Sequence, residues 1–269
     1  MSNPIITLTT DYGTNDHLVG TLKGVILNIN PDVTIVDITH HVAPFDVLDG
    51  ALAIGSVYRF FPPRTIHLVI VDPGVGTERR PLLVRGETQY FIAPDNGVLS
   101  MVYDREAGIS AYNLTAEHYF LRPVSRTFHG RDIFASVAGW LSKTFQPASM
   151  GDEIMDFKRF SLPKPKAENG QVKGVVLRVD AFGNLLTNLT PADFPGGAAN
   201  PGAAQLLVND REVNRIVENF SQGAQGEPVA IVGSSGYVEI AVNMGNAARL
   251  LGVGRGAAVT LSGSQNSTA

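Results

Sequence analysis

Three clusters of polar residues in the first half of the chain carry side chains that can move a proton or hold a polar ligand. Asp11 directly follows an apolar run, Asp72 and Arg79 follow a second apolar run, and His129 precedes a stretch with helical periodicity. Carboxylate and imidazole groups exchange protons, and a guanidinium pairs with a carboxylate through parallel N–H groups. The chain has no cysteine, so a thiolate zinc site, an iron–sulfur cluster, a disulfide framework and a cysteine nucleophile are excluded.

Each of these clusters also has a purely structural interpretation. Asp11 can accept both hydroxyls of a ribose, but Asp11 or Asn15 can equally cap the helix that follows. Asp72 and Arg79 form either a simple ion pair or a charged group in a ligand-binding loop, and the glycines between them lack the signature of a phosphate loop. A lone histidine such as His129 is typically structural or solvated.

Two clusters in the second half of the chain offer contacts to a ring. Residues 179–188 include Phe182, which can stack on or wall a ring, and Asn184, whose amide offers a donor and an acceptor to a purine edge. The same segment is typical of a Gly-Asn turn between two strands. Residues 233–245 combine a Gly/Ser turn with an alternating strand, which indicates only β-structure.

The elements that position the first three clusters follow from the hydrophobic period. Strands are predicted at residues 5–10, 33–38, 65–71, 82–84 and 90–92. Helices are predicted at residues 18–28, after Asp46 as the capping residue, and at residues 133–141. We therefore expect residues 1–162 to form an α/β domain with a mostly parallel sheet flanked by helices. Such a sheet places ligands at the carboxyl ends of its strands, where Asp11 and Asp72 stand.

The amino-acid composition and the hydrophobic pattern change after residue 162. Residues 163–171 are rich in Pro and Lys without a hydrophobic period and predict a linker. Residues 172–262 predict a smaller, β-barrel-like domain of short strands, and residues 263–269 a flexible tail. Strands of this domain are predicted at residues 174–179, 204–208, 228–232, 237–242 and 257–261.

Composition indicates an ordinary globular protein. Of the 269 residues, 44% are apolar and 17% charged, and 21 Lys and Arg against 25 Asp and Glu give a formal charge of −4. Without a basic run we expect no nucleic-acid partner and no membrane-surface partner. Because no leader or long apolar segment is evident, we expect a cytoplasmic protein.

Five motifs, in this order along almost the whole chain, carry a family resemblance. They are residues 10–13 (TDYG), 43–46 (APFD), 71–76 (VDPGVG), 128–132 (FHGRD) and 180–188 (DAFGNLLTN). Together they resemble the S-adenosylmethionine (SAM) hydroxide adenosyltransferases, relatives of the fluorinase and chlorinase enzymes. The resemblance implies a catalytic trio on Asp72, Arg79 and His129, with the adjacent Arg80 as the alternative to Arg79.

The resemblance also implies a substrate site. Asp11 would bind the ribose, Phe45 would form an aromatic wall over it, and Asn184 with the backbone near Met244 would address adenine. The remaining residues implied to line the site are Asp180, Phe182, Ser234, Ser235, Glu239 and Val242. The halide-using relatives have Tyr at the position of Asp72 and a small residue at that of His129, so these residues imply water as the nucleophile.

The implied reaction is hydrolysis of SAM to adenosine and methionine, without metal or other cofactor, in a homotrimer whose subunits share active sites. Whether Asp72 or His129 accepts the proton is left open by the sequence. Two alternatives are a non-catalytic protein that binds adenosine or SAM, and a metal-dependent phosphoesterase. The phosphoesterase would use Asp11, Asp16, His40, Asp72 and His129, although His40 has no carboxylate at ligand spacing.

Overall fold

A computed structural model describes residues 3–194, 204–213 and 215–263. The chain divides into two compact units, Met1–Ser161 and Leu162–Ala269. Among the helices in these described residues, none combines the length and the apolar character that crossing a membrane requires.

The first unit contains a sheet of seven strands within residues 3–161, in the order β2-β1-β3-β5-β4-β6-β7. The strands are β1 (Ile5–Thr10), β2 (Thr34–Thr39), β3 (Ile66–Ile70), β4 (Pro81–Arg85), β5 (Tyr90–Pro94), β6 (Ser110–Leu114) and β7 (Gly151–Ile154). The pairs β1–β2, β1–β3 and β3–β5 are parallel, whereas β4, β6 and β7 continue the sheet in antiparallel pairs. The predicted hairpin is β4–β5, and the predicted α/β architecture is confirmed.

Helices cover both faces of this sheet. They are α1 (Leu18–Ile29), α2 (Val47–Val57), α3 (Ser100–Tyr103) and α4 (Ser136–Thr144), and a π-helical turn, Gly130–Ala135, leads into α4. Alternate residues of β3 divide between two cores: Leu68 and Ile70 pack with α1 and α4, and Val69 packs with α2 and α3. This explains why β3 is apolar throughout, as expected for a strand buried on both faces.

The first residues of the helices show which side chains act as caps, and they correct the interpretation that Asp11 or Asn15 caps α1. Asp46 caps α2 as predicted, because its side chain accepts a hydrogen bond from the backbone N of Asp49 at 3.0 Å. For α1, neither Asp11 nor Asn15 is the cap: His17 holds that position, and Asp16 accepts from Leu18 N at 3.0 Å. Asp11 is therefore not used as a helix cap.

The second unit is a nearly closed, barrel-like sheet. Its described strands are β8 (Lys166–Glu168), β9 (Gln171–Val179), β10 (Leu185–Thr187), β11 (Ala204–Val208), β12 (Arg211–Val213), β13 (Ile216–Val217), β14 (Pro228–Val232), β15 (Val238–Val242) and β16 (Ala258–Gly263). They follow the order β12-β11-β16-β9-β10-β15-β14-β13, with β8 paired to β9. A short helix, α5 (Ala247–Leu251), begins at Asn246, whose side chain accepts from Arg249 N.

The predicted linker, residues 163–171, and the predicted tail, residues 263–269, can be compared with the strands of this unit. The segment 163–171, expected to be a linker, contains β8 and the first residue of β9, which pair as an antiparallel hairpin. Of the expected tail, Gly263 is the last residue of β16, and residues 264–269 lie outside the described residues.

Candidate active site

The first site element is the Asp72–Arg79 pair in the loop after β3. Nε of Arg79 lies 2.9 Å from Oδ1 and 3.0 Å from Oδ2 of Asp72, and Nη2 also donates to Oδ2. Both side chains are only 5% exposed. The guanidinium carbon stands 5.0 Å from the ring centroid of the fully buried Phe134, so packing as well as charge holds Arg79 in place.

His129 joins this pair through Arg79. Nη2 of Arg79 lies 3.0 Å from Nδ1 of His129. A guanidinium can only donate, so Nδ1 must be the acceptor, and the neutral imidazole carries its proton on Nε2. The pKa of His129 is lowered by burial first and by the charge of Arg79 second, against the opposing charges of Asp72 and Asp132. The imidazole is therefore favoured in its neutral form.

The backbone of Gly76 brings the two loops together. Gly76 has a φ of +76°, and a Cβ built on it would lie 2.1 Å from the carbonyl oxygen of Arg126. The loop after β3 therefore makes direct backbone contact with the segment that leads into His129. A side chain at residue 76 would both strain the backbone and push that segment away.

Asp11 and Phe45 form the second site element. Oδ2 of Asp11 accepts a hydrogen bond from the backbone N of Phe45 at 2.9 Å. Burial raises the pKa of Asp11, and the hydrogen bond from Phe45 opposes that rise. Phe45 adopts a left-handed φ of +66° and its side chain is 73% exposed. An aromatic residue in this conformation is strained, and such strain clusters at ligand sites.

These two elements meet at one cleft of about 260 Å³. Its lining residues are Asp11, Tyr12, Leu18, Pro44, Phe45, Asp72, Val75 and Thr127. The cleft lies where β1 and β3 end, at the edge that open α/β sheets use for ligands. Asp11, a carboxylate able to take a diol, and Asp72, the carboxylate that Arg79 links to His129, thus border a single volume in the first unit.

A larger cleft of about 560 Å³ lies at the opposite ends of β1 and β3. It is lined by Asn3, Pro4, Ile5, Pro62, Pro63, Arg64, Thr65, Lys143 and Phe145. Arg64 stacks on the Phe145 ring at 4.0 Å, and Lys143 donates to the carbonyl of Ile29 at 3.2 Å. Neither an acid nor a base of the predicted site borders it, so we assign the chemistry to the smaller cleft.

In the second unit, Asp180 organises the turn between β9 and β10. Its Oδ1 accepts from Phe182 N at 2.9 Å and from Asn184 N at 2.8 Å, and its Oδ2 accepts from Asn184 Nδ2 at 2.8 Å. The predicted Gly-Asn turn is therefore present, and Asp180 fixes the Asn184 amide. With one Nδ2 proton bound to Asp180, the Asn184 side chain keeps its carbonyl oxygen as an acceptor and a second N–H as a donor.

The other predicted residues of the second unit fall into three groups. Phe182 is 78% exposed, and Met244 is 93% exposed with a left-handed φ of +51°. Glu239 is half-buried, and burial followed by the charge of Asp180 raises its pKa. Val242, in contrast, is 7% exposed within the core of this unit, so only its backbone can reach a ligand.

Ser234 and Ser235 flank the turn before β15. Ser234 is exposed, while Oγ of Ser235 is buried without a hydrogen-bond partner in the described residues. The carboxylate of Glu239 packs on Gly233, where a Cβ would lie 1.9 Å from Oε1. The turn and the Glu239 carboxylate are therefore in contact.

Comparison with known proteins decides the family. The SAM hydroxide adenosyltransferase N-terminal domain matches residues 6–151, and the C-terminal domain of the same family matches residues 174–260. The chain belongs to the SAM hydroxide adenosyltransferase family. This confirms the resemblance seen in the five motifs.

Similar proteins cover nearly the whole chain. An (R)-S-adenosyl-L-methionine hydrolase from Salinispora tropica is 37% identical over 93% of this chain and 94% of its own length. A protein of the same name from Methanocaldococcus jannaschii is 30% identical over 93% and 92%, and a fluorinase from Actinoplanes sp. is 32% identical over 90% and 91%. A crystal structure of an uncharacterized conserved protein from Thermotoga maritima has a TM-score of 0.89 at 36% identity, covering 96% of this chain and 99% of that one.

The geometry also separates the two adjacent arginines, Arg79 and Arg80. Arg80 does not reach Asp72: it pairs with Asp95 and Asp156, each at 2.7 Å. Arg79, in contrast to Arg80, contacts both Asp72 and His129. Of the two arginines, Arg79 is therefore the one whose contacts fit the predicted trio.

Two residues of the phosphoesterase alternative, His40 and Asp16, make other contacts. His40 places Nδ1 2.9 Å from Oγ1 of Thr10 and Nε2 3.1 Å from Oδ1 of Asp37. Asp16 bonds the start of α1. Over residues 3–194, 204–213 and 215–263, the structure groups no three His, Asp or Glu side chains in a metal-binding arrangement.

Sequence analysis assigns no site role to five lining residues of the cleft, namely Tyr12, Leu18, Pro44, Val75 and Thr127. Three of them stand inside motifs that carry the family resemblance, beside Asp11, Phe45 and Gly74. That adjacency is the one signal in the sequence that could have identified them.

Proposed function

We propose that the chain hydrolyses SAM to adenosine and L-methionine by attack of water on the C5′ carbon. The observation that supports this proposal is the hydrogen-bonded Asp72–Arg79–His129 trio, whose Asp72 lines the same cleft as Asp11 and Phe45. The names of the similar proteins, SAM hydrolases and fluorinases, agree with a substitution at that carbon.

The chemistry needs a positioned water more than it needs an acid. The sulfonium leaves as a neutral thioether and takes the C–S bonding pair, so no group has to protonate it. The water oxygen forms the new bond to C5′ and gives up one proton. Holding water and carbon in line contributes several kcal/mol, up to about 7 to 11 kcal/mol in favourable models.

The trio divides this work between a proton acceptor and a donor. Since Arg79 occupies the Nδ1 lone pair of His129, the imidazole presents Nε2–H, which can hold the oxygen of a water but cannot take its proton. Within the part of the chain that the structure describes, Oδ1 of Asp72 accepts from Nε of Arg79 alone, so this oxygen keeps a spare lone pair. We therefore assign proton acceptance to Asp72, orientation of the water to His129, and alignment of both groups to Arg79.

Substrate recognition uses both units. Asp11 accepts the ribose hydroxyls and Phe45 covers the sugar, while the carbonyl oxygen of Asn184 accepts from the adenine amino group. Phe182 and the backbone at Val242 and Met244 complete the adenine side. Asp180, through Asn184, and the turn residues Ser234, Ser235 and Glu239 line the remainder.

The proposal includes the oligomeric state of the enzyme and its cellular compartment. The active enzyme is a cytoplasmic homotrimer in which residues from two chains complete each site, with SAM as substrate and no metal or other cofactor. Support comes from the family resemblance and from the division of the proposed residues between two units of the chain.

Incubation with excess SAM, followed by chromatography for adenosine and methionine, tests the proposal. Equal amounts of the two products are expected, with and without a chelator. Asp72→Asn should abolish most product, and Glu78→Gln is the matched control because it removes an exposed carboxylate from the same loop. Binding of SAM without products would make the chain a binding protein, and chelator-sensitive activity restored by a divalent ion would favour metal chemistry.

A further inference from the structure

Tyr12, which the proposed reaction does not use, contacts both chain neighbours of His129. Its ring meets the ring of Phe128 edge-on, with centroids 6.1 Å apart and planes at 66°. Its hydroxyl lies against Gly130, where a Cβ would come within 2.4 Å of the oxygen. Tyr12 itself is tied to the end of β1, since its backbone N donates to Oγ1 of Thr10 at 3.2 Å.

Tyr12 contacts Gly130 at the first residue of the π-helical turn. Gly130 is buried and begins the π-helical turn, and the amides of Arg131 and Asp132 both donate to the carbonyl of Phe128. A π-helical turn is less favourable than a regular α-helix and is frequent at functional sites. The conformation of the backbone at His129 therefore depends on the side chains packed against it. Tyr12 packs against the residues on both sides of His129, Phe128 and Gly130.

The hydroxyl of Tyr12 keeps its proton throughout the pH range in which proteins fold. Burial raises the pKa of Tyr12 well above its ordinary value, and the nearby carboxylates of Asp11 and Asp72 raise it further. The group that occupies the space beside Gly130 is thus a neutral O–H at every working pH.

We infer that Tyr12 is a positioning residue, which holds residues 128–130 so that Nδ1 of His129 stays on Nη2 of Arg79. The assignment rests on the proposed function for its kinetic consequence, but the contact and its effect on His129 do not depend on any reaction. Tyr12 acts through the packing of its ring on Phe128 and of its hydroxyl on Gly130, without a bond to the reacting atoms.

A compensating pair of substitutions tests the contact. Gly130→Ala introduces a Cβ that collides with the Tyr12 hydroxyl, and a displacement near 1 Å at such a site lowers kcat by about 10²-fold. Tyr12→Phe removes that oxygen, after which the nearest ring atom, Cζ, lies 3.4 Å from the new Cβ. The double variant Tyr12→Phe/Gly130→Ala should therefore regain most of the kcat that Gly130→Ala loses.

Titration of the His129 imidazole by NMR gives a readout without turnover. Displacing Nδ1 from Arg79 removes the nearest cation, so Gly130→Ala should raise the pKa of His129, and the double variant should return it to the wild-type value. The charges that remain around the ring, on Asp72 and Asp132, both raise the pKa of His129 as well. Tyr112→Phe, which removes a hydroxyl from β6, is the matched control and should change neither kcat nor the titration.

The outcomes separate this assignment from the proposed reaction. A double variant as impaired as Gly130→Ala, in both kcat and titration, overturns the role of Tyr12. If Gly130→Ala does not fold, Tyr12→Leu, which loses the edge contact and the hydroxyl, must lower kcat and raise the His129 pKa; an unchanged titration overturns the assignment. A chain that shows the expected titrations but no SAM hydrolysis contradicts only the proposed function.

Discussion

Nη2 of Arg79 donates a hydrogen bond to Nδ1 of His129 over 3.0 Å. The same nitrogen also donates to Asp72, so one guanidinium sets the distance between the proposed acceptor and donor of the reaction. Because the arginine cannot lose its proton, the tautomer of the neutral imidazole is set as well. This link, more than the presence of three polar residues, distinguishes the site from an isolated ion pair.

Asp72→Asn and His129→Ala should each lower kcat by about 10² to 10⁴, the usual contribution of a positioned acid–base group, with little effect on KM. Neither side chain is assigned to substrate affinity. Steady-state kinetics with SAM measures both constants, with Glu78→Gln as the control from the same loop. Turnover near that of the wild type in either variant would remove that residue from water activation.

Arg79→Gln should raise the pKa of His129, because the charge that lowers it is removed while those of Asp72 and Asp132 stay. NMR titration of the imidazole measures the shift in the absence of substrate. Arg80→Gln is the matched control, since Arg80 pairs with Asp95 and Asp156 instead. An unchanged His129 titration in Arg79→Gln would mean that the hydrogen bond to Nδ1 does not form in solution.

Much of the fold could be predicted because the strands are bounded by residues that interrupt their period. The predicted bounds of β1, β11 and β14 match the structure, and the cap at Asp46 and the turn after Asp180 were evident from residue type. These features depend on neighbours in the sequence, for which pattern and propensity are sufficient. The family resemblance added the site residues.

Other features depend on contacts that are distant in sequence. Arg80 is held away from Asp72 by Asp95 and Asp156, which lie 15 and 76 residues beyond it in the sequence. The π-helical turn at Gly130–Ala135 packs on Tyr12, more than a hundred residues earlier, and the helix expected over 133–141 covers the end of this turn and most of α4, Ser136–Thr144. Strands of three residues, such as β10 and β12, are too short to show a period.

The stability of the first unit should fall in acid because of His67. This imidazole is fully buried, bonds Thr7 at 2.7 Å and stacks on Phe91 at 5.1 Å, and burial lowers its pKa from 6.5 to about 4. The unfolded chain binds the proton more tightly, so the contribution of the neutral ring is complete above pH 6.5 and is lost as pH falls toward about 4. The loss is about 3 kcal/mol of unfolding free energy.

Denaturant unfolding at a series of pH values checks this prediction. His67→Gln should be less stable at neutral pH but should show a flatter dependence between these two pKa values. His41→Gln, which removes an exposed imidazole, should retain the wild-type slope. Equal slopes for wild type and His67→Gln would contradict the assignment.

Two inactive variants should complement one another if two chains complete each site. Asp72→Ala damages the first unit and leaves the second sound, and Asn184→Ala does the reverse. Unfolding and refolding the two together should restore part of the SAM hydrolysis, because some pairs of chains then combine two undamaged halves. Inactivity of an oligomer shown to be mixed would place each site within one chain.

The most direct test of the central claim is the reaction in oxygen-18 water, with mass spectrometry of both products. Attack of water on C5′ predicts one oxygen-18 atom in the 5′-hydroxyl of adenosine and none in methionine, and Asp72→Asn should slow the labelling in proportion to product. Unlabelled adenosine, or cleavage of SAM at a different bond, would contradict the account.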